Sequence, residues 1–223
     1  MFRLMLNDSY LAVIDCAINE PVANCFNSIV ARYRKPALYY SPRFCGMDID
    51  LAKTSAVMIL GSASSVNDNL DWQKSVFKLI EDCMSKKVPL MGLCFGHQAI
   101  AHVLGAKIDF VSADQKKLQG SREIKFEEDF GRIKNGDVIK VAVSHKEEVK
   151  NLTKDMKPLA SSSVTIVEAF AHRELPCFGF QSHPEASRYF MANQVGIQNP
   201  KEIEDLRESS YRIVDAYFSL LQN

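Results

Sequence analysis

The chain has 223 residues, 47% of them hydrophobic and 24% charged, and Lys+Arg and Asp+Glu both number 27, for a formal net charge of zero. That mixture is globular rather than disordered, the length fits one large domain, and neutrality gives no global attraction to nucleic acid or an anionic membrane. No apolar run approaches the roughly 18 residues of a membrane span, and Met1-Phe-Arg-Leu-Met-Leu-Asn7-Asp8 is too short for a secretory leader.

The expectation is therefore a cytoplasmic protein that binds neither nucleic acid nor membrane. The six cysteines (16, 25, 45, 83, 94 and 177) are scattered, with no C-x-x-C pair and no zinc spacing. They read as free thiols in a reducing compartment, and nothing calls for a metal or cofactor.

In chain order, Leu11–Cys16 is an apolar run of strand length. Asn19 to Tyr33 then places Val22, Phe26, Ile29, Val30 and Tyr33 at helical spacing, with Pro21 near the start. Ala37–Tyr40 and Ala56–Leu60 are the next strands. Trp72 to Lys86 is a helix carrying Trp72, Val76, Leu79, Ile80 and Cys83, Pro89–Leu93 a strand, and Gln98 to Leu104 a helix. Strands alternating with amphipathic helices predict βαβ units and a parallel sheet covered on both faces.

After Gly105 the pattern changes. Glu123–Phe126, Val138–Val143 and Val164–Phe170 read as strands between polar turns, which predicts an antiparallel or mixed extension of the sheet. Cys177–Gln181 is the last strand. Lys201 to Leu221 is a C-terminal helix, with Asn199-Pro200 as its start signal. With no repeat, low-complexity tract or linker, residues 1–223 read as a single domain. The fold class is α/β, an open and mostly parallel sheet of flavodoxin-like type.

Gly92-Leu-Cys94-Phe-Gly96 lies where an apolar strand gives way to a helix. A nucleophile between two glycines at such a corner has the pattern of the serine elbow G-x-S-x-G. The tight turn requires neighbours without side chains, and helix N-terminal amides favour a thiolate there. The alternative is a buried cysteine in a glycine-flanked turn. Ser182-His183-Pro184-Glu185 directly follows the last strand and suits a base with its orienting acid. Pro184 holds His183 extended. The same residues also read as a helix start, with Pro184 at the first position and Glu185 complementing the dipole. Strand ends distant in sequence share one edge of such a sheet, so Cys94 and His183 can meet.

These segments resemble class I (triad-type) glutamine amidotransferases, and within them the glutaminase domain of GMP synthase. Gly92-Leu-Cys-Phe-Gly-His-Gln98 matches the family's G-x-C-x-G-x-Q, and Phe180-Gln-Ser-His-Pro-Glu185 matches F-Q-F-H-P-E with Ser182 in place of Phe. Val143-Ser-His-Lys-Glu-Glu-Val149 is similar to S-H-G-D-x-V, with Lys146 and Glu147 replacing Gly and Asp.

The resemblance implies a glutamine-hydrolysing enzyme in which Cys94 forms a γ-glutamyl thioester, His183 moves the protons and Glu185 orients His183. It puts the oxyanion hole at the backbone N–H groups of Phe95 and Ser62, the latter in Leu60-Gly61-Ser62-Ala-Ser-Ser65, where the family usually has S-G-G-P-x-S. Gly61, Gln98, Ser144, His145 and Lys146 become contacts for the small-molecule substrate, glutamine or a γ-glutamyl compound. Lys146 and Glu147 also read as a solvated turn, and Gly61-Ser62 as an ordinary loop. His97, His102 and His172 read as structural.

Within the 223 residues there is no phosphate-binding G-x-x-x-x-G-K-[ST] and no S-G-G-x-D-S segment. The ammonia would then serve a separate synthase. The other readings are an independent hydrolase of γ-glutamyl peptides or amides, and a non-catalytic relative.

Overall fold

The structure is a computed structural model that describes residues 9–221 apart from positions 22 and 166. The leader reading of residues 1–8, and the places of Val22 and Ile166 in their predicted elements, lie outside the described residues.

Strands β1 (Tyr10–Ile14), β2 (Ala37–Tyr40), β3 (Thr54–Ile59) and β4 (Leu90–Leu93) alternate with helices α1 (Ala23–Tyr33), α2 (Asp71–Ser85) and α3 (Phe95–Val103). A pair of short strands, β5 (Ile108–Phe110) and β8 (Glu147–Val149), forms its own antiparallel ribbon. Strands β6 (Leu118–Phe126), β7 (Val138–His145), β9 (Met156–Ser161), β10 (Ala169–His172) and β11 (Cys177–Phe180) complete the main sheet. Its order is β2-β1-β3-β4-β11-β10-β9-β6-β7. The half from β2 to β11 is parallel, and the rest continues antiparallel. A short helix α4 (Arg188–Phe190) runs into a π-helical turn at Met191–Val195, and α5 (Pro200–Leu220) follows.

Strand pleating explains the layering. Leu11, Val13, Ala56 and Met58 pack in one core with Ile29 of α1 and Ile213, Val214 and Tyr217 of α5. Their neighbours Ala12, Ile14, Val57 and Ile59 face Val76 and Ile80 of α2 and Ala99 and Ile100 of α3. These stretches of the two central strands are thus buried on one face or the other, which is why they are continuously apolar. The α/β class, the parallel half and the antiparallel extension are as predicted. Among the described residues no helix is long and apolar enough to cross a membrane.

Three readings change. The predicted strand at Val164–Phe170 is β10 at Ala169–His172, because the Ser162 hydroxyl accepts from the N–H groups of Val164 and Thr165, both at 3.1 Å, and winds that stretch into a turn. Strand β9 was not predicted because Pro158 interrupts it. Proline is tolerated here because β9 pairs with β6 only at Ser161 and Ala160, leaving Pro158 off that ladder. Helix α3 begins at Phe95 rather than Gln98, directly after Cys94.

Candidate active site

Cys94 stands between β4 and α3 with φ 50° and ψ −100°, a region that non-glycine residues seldom occupy. Two neighbours hold it there. Its N–H donates to the Phe180 carbonyl at 2.8 Å, extending the β4–β11 ladder one residue past the strand, and its carbonyl accepts from Gln98 N at 3.1 Å to open the helix. The two glycines answer different needs. A Cβ on Gly92 would lie 2.3 Å from the Gly96 carbonyl oxygen, so Gly92 lets the turn close on itself. A Cβ on Gly96 would lie 2.3 Å from the carbonyl oxygen of Ile59, so Gly96 lets α3 sit on β3.

Strand β11 lies beside β4 with Phe180 opposite Leu93, which brings Gln181 and His183 to the same edge as Cys94. His183 N–H donates to the Ala142 carbonyl at 2.9 Å. Its ring packs on Phe190 at 4.6 Å between centroids, and Nδ1 is 3.0 Å from Glu185 Oε1. Both side chains are buried, at 3% and 2% exposure, so their pairing is shielded from water. Burial works against the charged imidazole, but Cys94 and then Glu185 favour it and prevail, pushing the His183 pKa up to about 10. His183 Nε2 is buried and outside full hydrogen-bond geometry with any described neighbour, Cys94 included. Pro184 and Glu185 precede the helix rather than start it. Ser187 is the cap of α4, its hydroxyl accepting from Phe190 N at 3.1 Å, which corrects the helix-start reading.

Gly61 touches both partners. A Cβ there would be 2.7 Å from His183 Cε1 and 3.5 Å from Cys94 Cβ, so the third strand's loop meets Cys94 and His183 at one point. Neither Gly61 nor Ser62 has a positive φ. Serine therefore fits the loop without strain where the family usually has glycine, and Gly61 is required for space alone. Ser62 Oγ accepts from Ser64 N at 3.1 Å, and Ser65 Oγ donates to Glu147 Oε1 at 2.8 Å, fastening this loop to β8. Phe95 is the first residue of α3, where backbone N–H groups lack intrahelical partners.

The Ser144 carbonyl lies 3.9 Å from Cys94 Sγ, while its hydroxyl donates to the Gln194 carbonyl at 2.9 Å. His145 is buried and turned toward Arg122 and the Glu147 carbonyl, and Lys146 is exposed. Gln98 Nε2 donates to the Glu147 carbonyl at 2.8 Å and to Gln181 Oε1 at 3.1 Å. Gln181 Nε2 in turn lies 3.8 Å from Cys94 Sγ. Gln181 and Glu147 were not singled out from sequence. The signal for Gln181 was its place one residue beyond β11, matching Cys94 beyond β4. Ser182 is fully buried with an unpartnered hydroxyl.

The other histidines have structural surroundings. His97 is buried against Phe170 at 5.0 Å, and burial pushes its pKa down to about 3. His102 packs on Phe77, and His172 Nδ1 accepts from Glu174 N and Leu175 N. Among the described residues no group of three or more His, Cys, Asp or Glu side chains is placed to hold a metal ion.

Residues 7–194 match the family model for class-I glutamine amidotransferases. The glutamine-hydrolysing chain of the GMP synthase of Methanothermobacter thermautotrophicus is 33% identical over 144 residues, 65% of this chain and 73% of that protein. Its counterpart in Pyrococcus abyssi is 31% identical over 140 residues, 63% and 71% of the two chains. Among solved structures, a glutamine amidotransferase from Thermotoga maritima superposes with a TM-score of 0.73 at 20% identity, covering 95% of this chain and 94% of that one. A glutamine amidotransferase from Methylobacillus flagellatus gives 0.70 at 19% identity, over 96% and 92%. The solved structures share the fold; the family match, spanning the cysteine elbow and the His-Pro-Glu turn, places this chain in the class-I glutamine amidotransferase family.

Proposed function

We propose that the chain hydrolyses the side-chain amide of glutamine on Cys94 and releases ammonia to a separate synthase. The observation that supports this most directly is the convergence of Cys94, His183, Glu185 and Gly61 at one edge of the sheet. In this reading Cys94 Sγ attacks the carboxamide carbon, and the oxyanion that forms is held by the N–H groups of Phe95 and Ser62. The C–N bond then breaks as His183 gives its proton to the leaving ammonia, and a γ-glutamyl thioester remains. Water attacks the thioester while His183 Nε2 takes its proton, and glutamate leaves as the proton returns to sulfur. Glu185 keeps Nδ1 protonated and directs Nε2 to the reacting atoms.

Residues 1–223 act as one domain in this reading, with α5 closing the face that α1 also covers. The free cysteines, five of them buried, fit a reducing cytoplasm. Relatives that are parts of GMP synthase favour a synthase partner over free-standing peptide hydrolysis.

The test is ammonia release from glutamine by the purified chain, alone and with a co-purifying synthase, against γ-glutamyl dipeptides as competing substrates. Glutamine turnover that rises with the synthase is the expected result. Dipeptide hydrolysis without any partner, in preference to glutamine, would replace this reading with the independent hydrolase. Gly61→Ala supplies a finer check. The added methyl meets a buried ring that has nowhere to retreat, so the fold should persist while kcat falls by about 100-fold, the cost of misplacing a reacting group by an ångström or so.

A further inference from the structure

A buried charged pair lies behind the candidate substrate loop, away from the Cys94–His183–Glu185 set. Arg122 Nε is 2.7 Å from Glu168 Oε1, and Arg122 Nη2 is 3.1 Å from Glu168 Oε2. Glu168 is fully buried and also accepts from Ser162 Oγ at 2.6 Å. The same Nη2 lies 2.8 Å from His145 Nε2, and His145 Nδ1 lies 2.9 Å from the Glu147 carbonyl oxygen.

The chemistry of these atoms fixes the protons. A carbonyl only accepts, so His145 Nδ1 carries hydrogen; a guanidinium only donates, so Nε2 carries none. His145 is held neutral in a single tautomer. The Glu147 carbonyl then receives two donors, His145 Nδ1–H and Gln98 Nε2–H. Both Nε2 protons of Gln98 are engaged, one by Glu147 and one by Gln181, which leaves Oε1 as the atom Gln98 can offer to a ligand's N–H.

We propose that Arg122, with Glu168 as its buried counter-ion, is a positioning residue for glutamine binding: through His145 and the Glu147 carbonyl it sets the orientation of the Gln98 carboxamide. This rests on the glutaminase reading above. Arginine suits the task because its planar fork serves two acceptors at once, which a lysine ammonium does with less geometric definition. The ionisable groups facing His145 are Arg122 and, at longer range, His183, with His97 beneath. Burial first and Arg122 second push the His145 pKa down to about 3, in keeping with a neutral ring.

The experiment uses the full chain and glutamine protection of Cys94 against iodoacetamide, which reads binding without turnover. Arg122→Gln should weaken protection, and raise KM, by about tenfold or more, with a smaller change in kcat and an unchanged alkylation rate in the absence of glutamine. In a His145→Ala background the same substitution should add almost nothing, because its effect travels through that ring. If Arg122→Gln fails to fold because Glu168 is left unpaired, Arg122→Met with Glu168→Gln removes both charges and carries the same expectation.

The imidazole 15N shifts of His145 should show the Nδ1–H neutral form from about pH 5 to 8. An ordinary titration in that range overturns the proposal. So does wild-type-like protection in a folded Arg122 variant, or full additivity with His145→Ala. A wild-type chain that glutamine does not protect is a failure of the parent reading, and it takes this proposal with it.

Discussion

Cys94→Ala is expected to lower ammonia release from glutamine by about 10,000-fold or more, as loss of a covalent nucleophile does in related mechanisms. No other thiol is placed to replace it. Burial pushes the pKa values of Cys16 and Cys177 well up and those of Cys25 and Cys83 to about 12, so these stay protonated at working pH. Cys45 is exposed, just beyond β2. The fold should tolerate the change. The polar contacts of Sγ are long, 3.9 Å to the Ser144 carbonyl and 3.8 Å from Gln181 Nε2, and truncation opens only a small space. The comparison is glutaminase kcat beside a urea unfolding curve. Undiminished turnover in a folded Cys94→Ala protein would remove the proposed mechanism.

Gly96→Ala is expected to have the largest effect on stability, about 3 kcal/mol or more, at or beyond the upper end for overpacking a core. The added Cβ would meet Ile59 O at 2.3 Å and Ile59 C at 2.9 Å, backbone atoms of a central strand that no rotamer change can move aside. Helix α3 would have to lift from β3, breaking the contacts of Phe95, Ala99 and Ile100 with the core. Activity should fall with stability, because the first turn of α3 carries both Phe95 N–H and Gln98. The urea midpoint of Gly96→Ala against wild type measures this. A midpoint unchanged within error would mean that α3 and β3 are not so closely apposed.

The parallel half was readable because its strands are buried on both faces and its helices obey one period. Ala37–Tyr40 coincides with β2, and the predicted helix at Trp72 to Lys86 differs from α2 by one residue at each end. The antiparallel half was less readable because its residues answer to distant partners. Pro158 hid β9, and the acidic residues of Glu147–Val149 gave no hint of a strand that pairs with Ile108–Phe110. In the site, the elbow and the His-Pro-Glu turn were visible as local patterns. Sequence also marked Ser144, His145 and Lys146 alike, yet the structure separates them: a backbone carbonyl beside the sulfur, a buried ring, and an exposed ammonium. Arg122 and Glu168 carried no local signature, since their significance comes from pairing across β6 and the segment before β10.

The placement of β11 beside β4 also sets a timetable for synthesis. Cys94 leaves the ribosome early, but the strand that receives its N–H and delivers His183 is the last of the sheet to be made. A nascent polypeptide holding only the first four strands has the thiol but neither its imidazole neighbour nor the Phe180 carbonyl that helps keep its backbone contorted. Each molecule therefore stays chemically idle until translation has passed Glu185, and premature termination yields fragments that cannot squander amino-acid nitrogen.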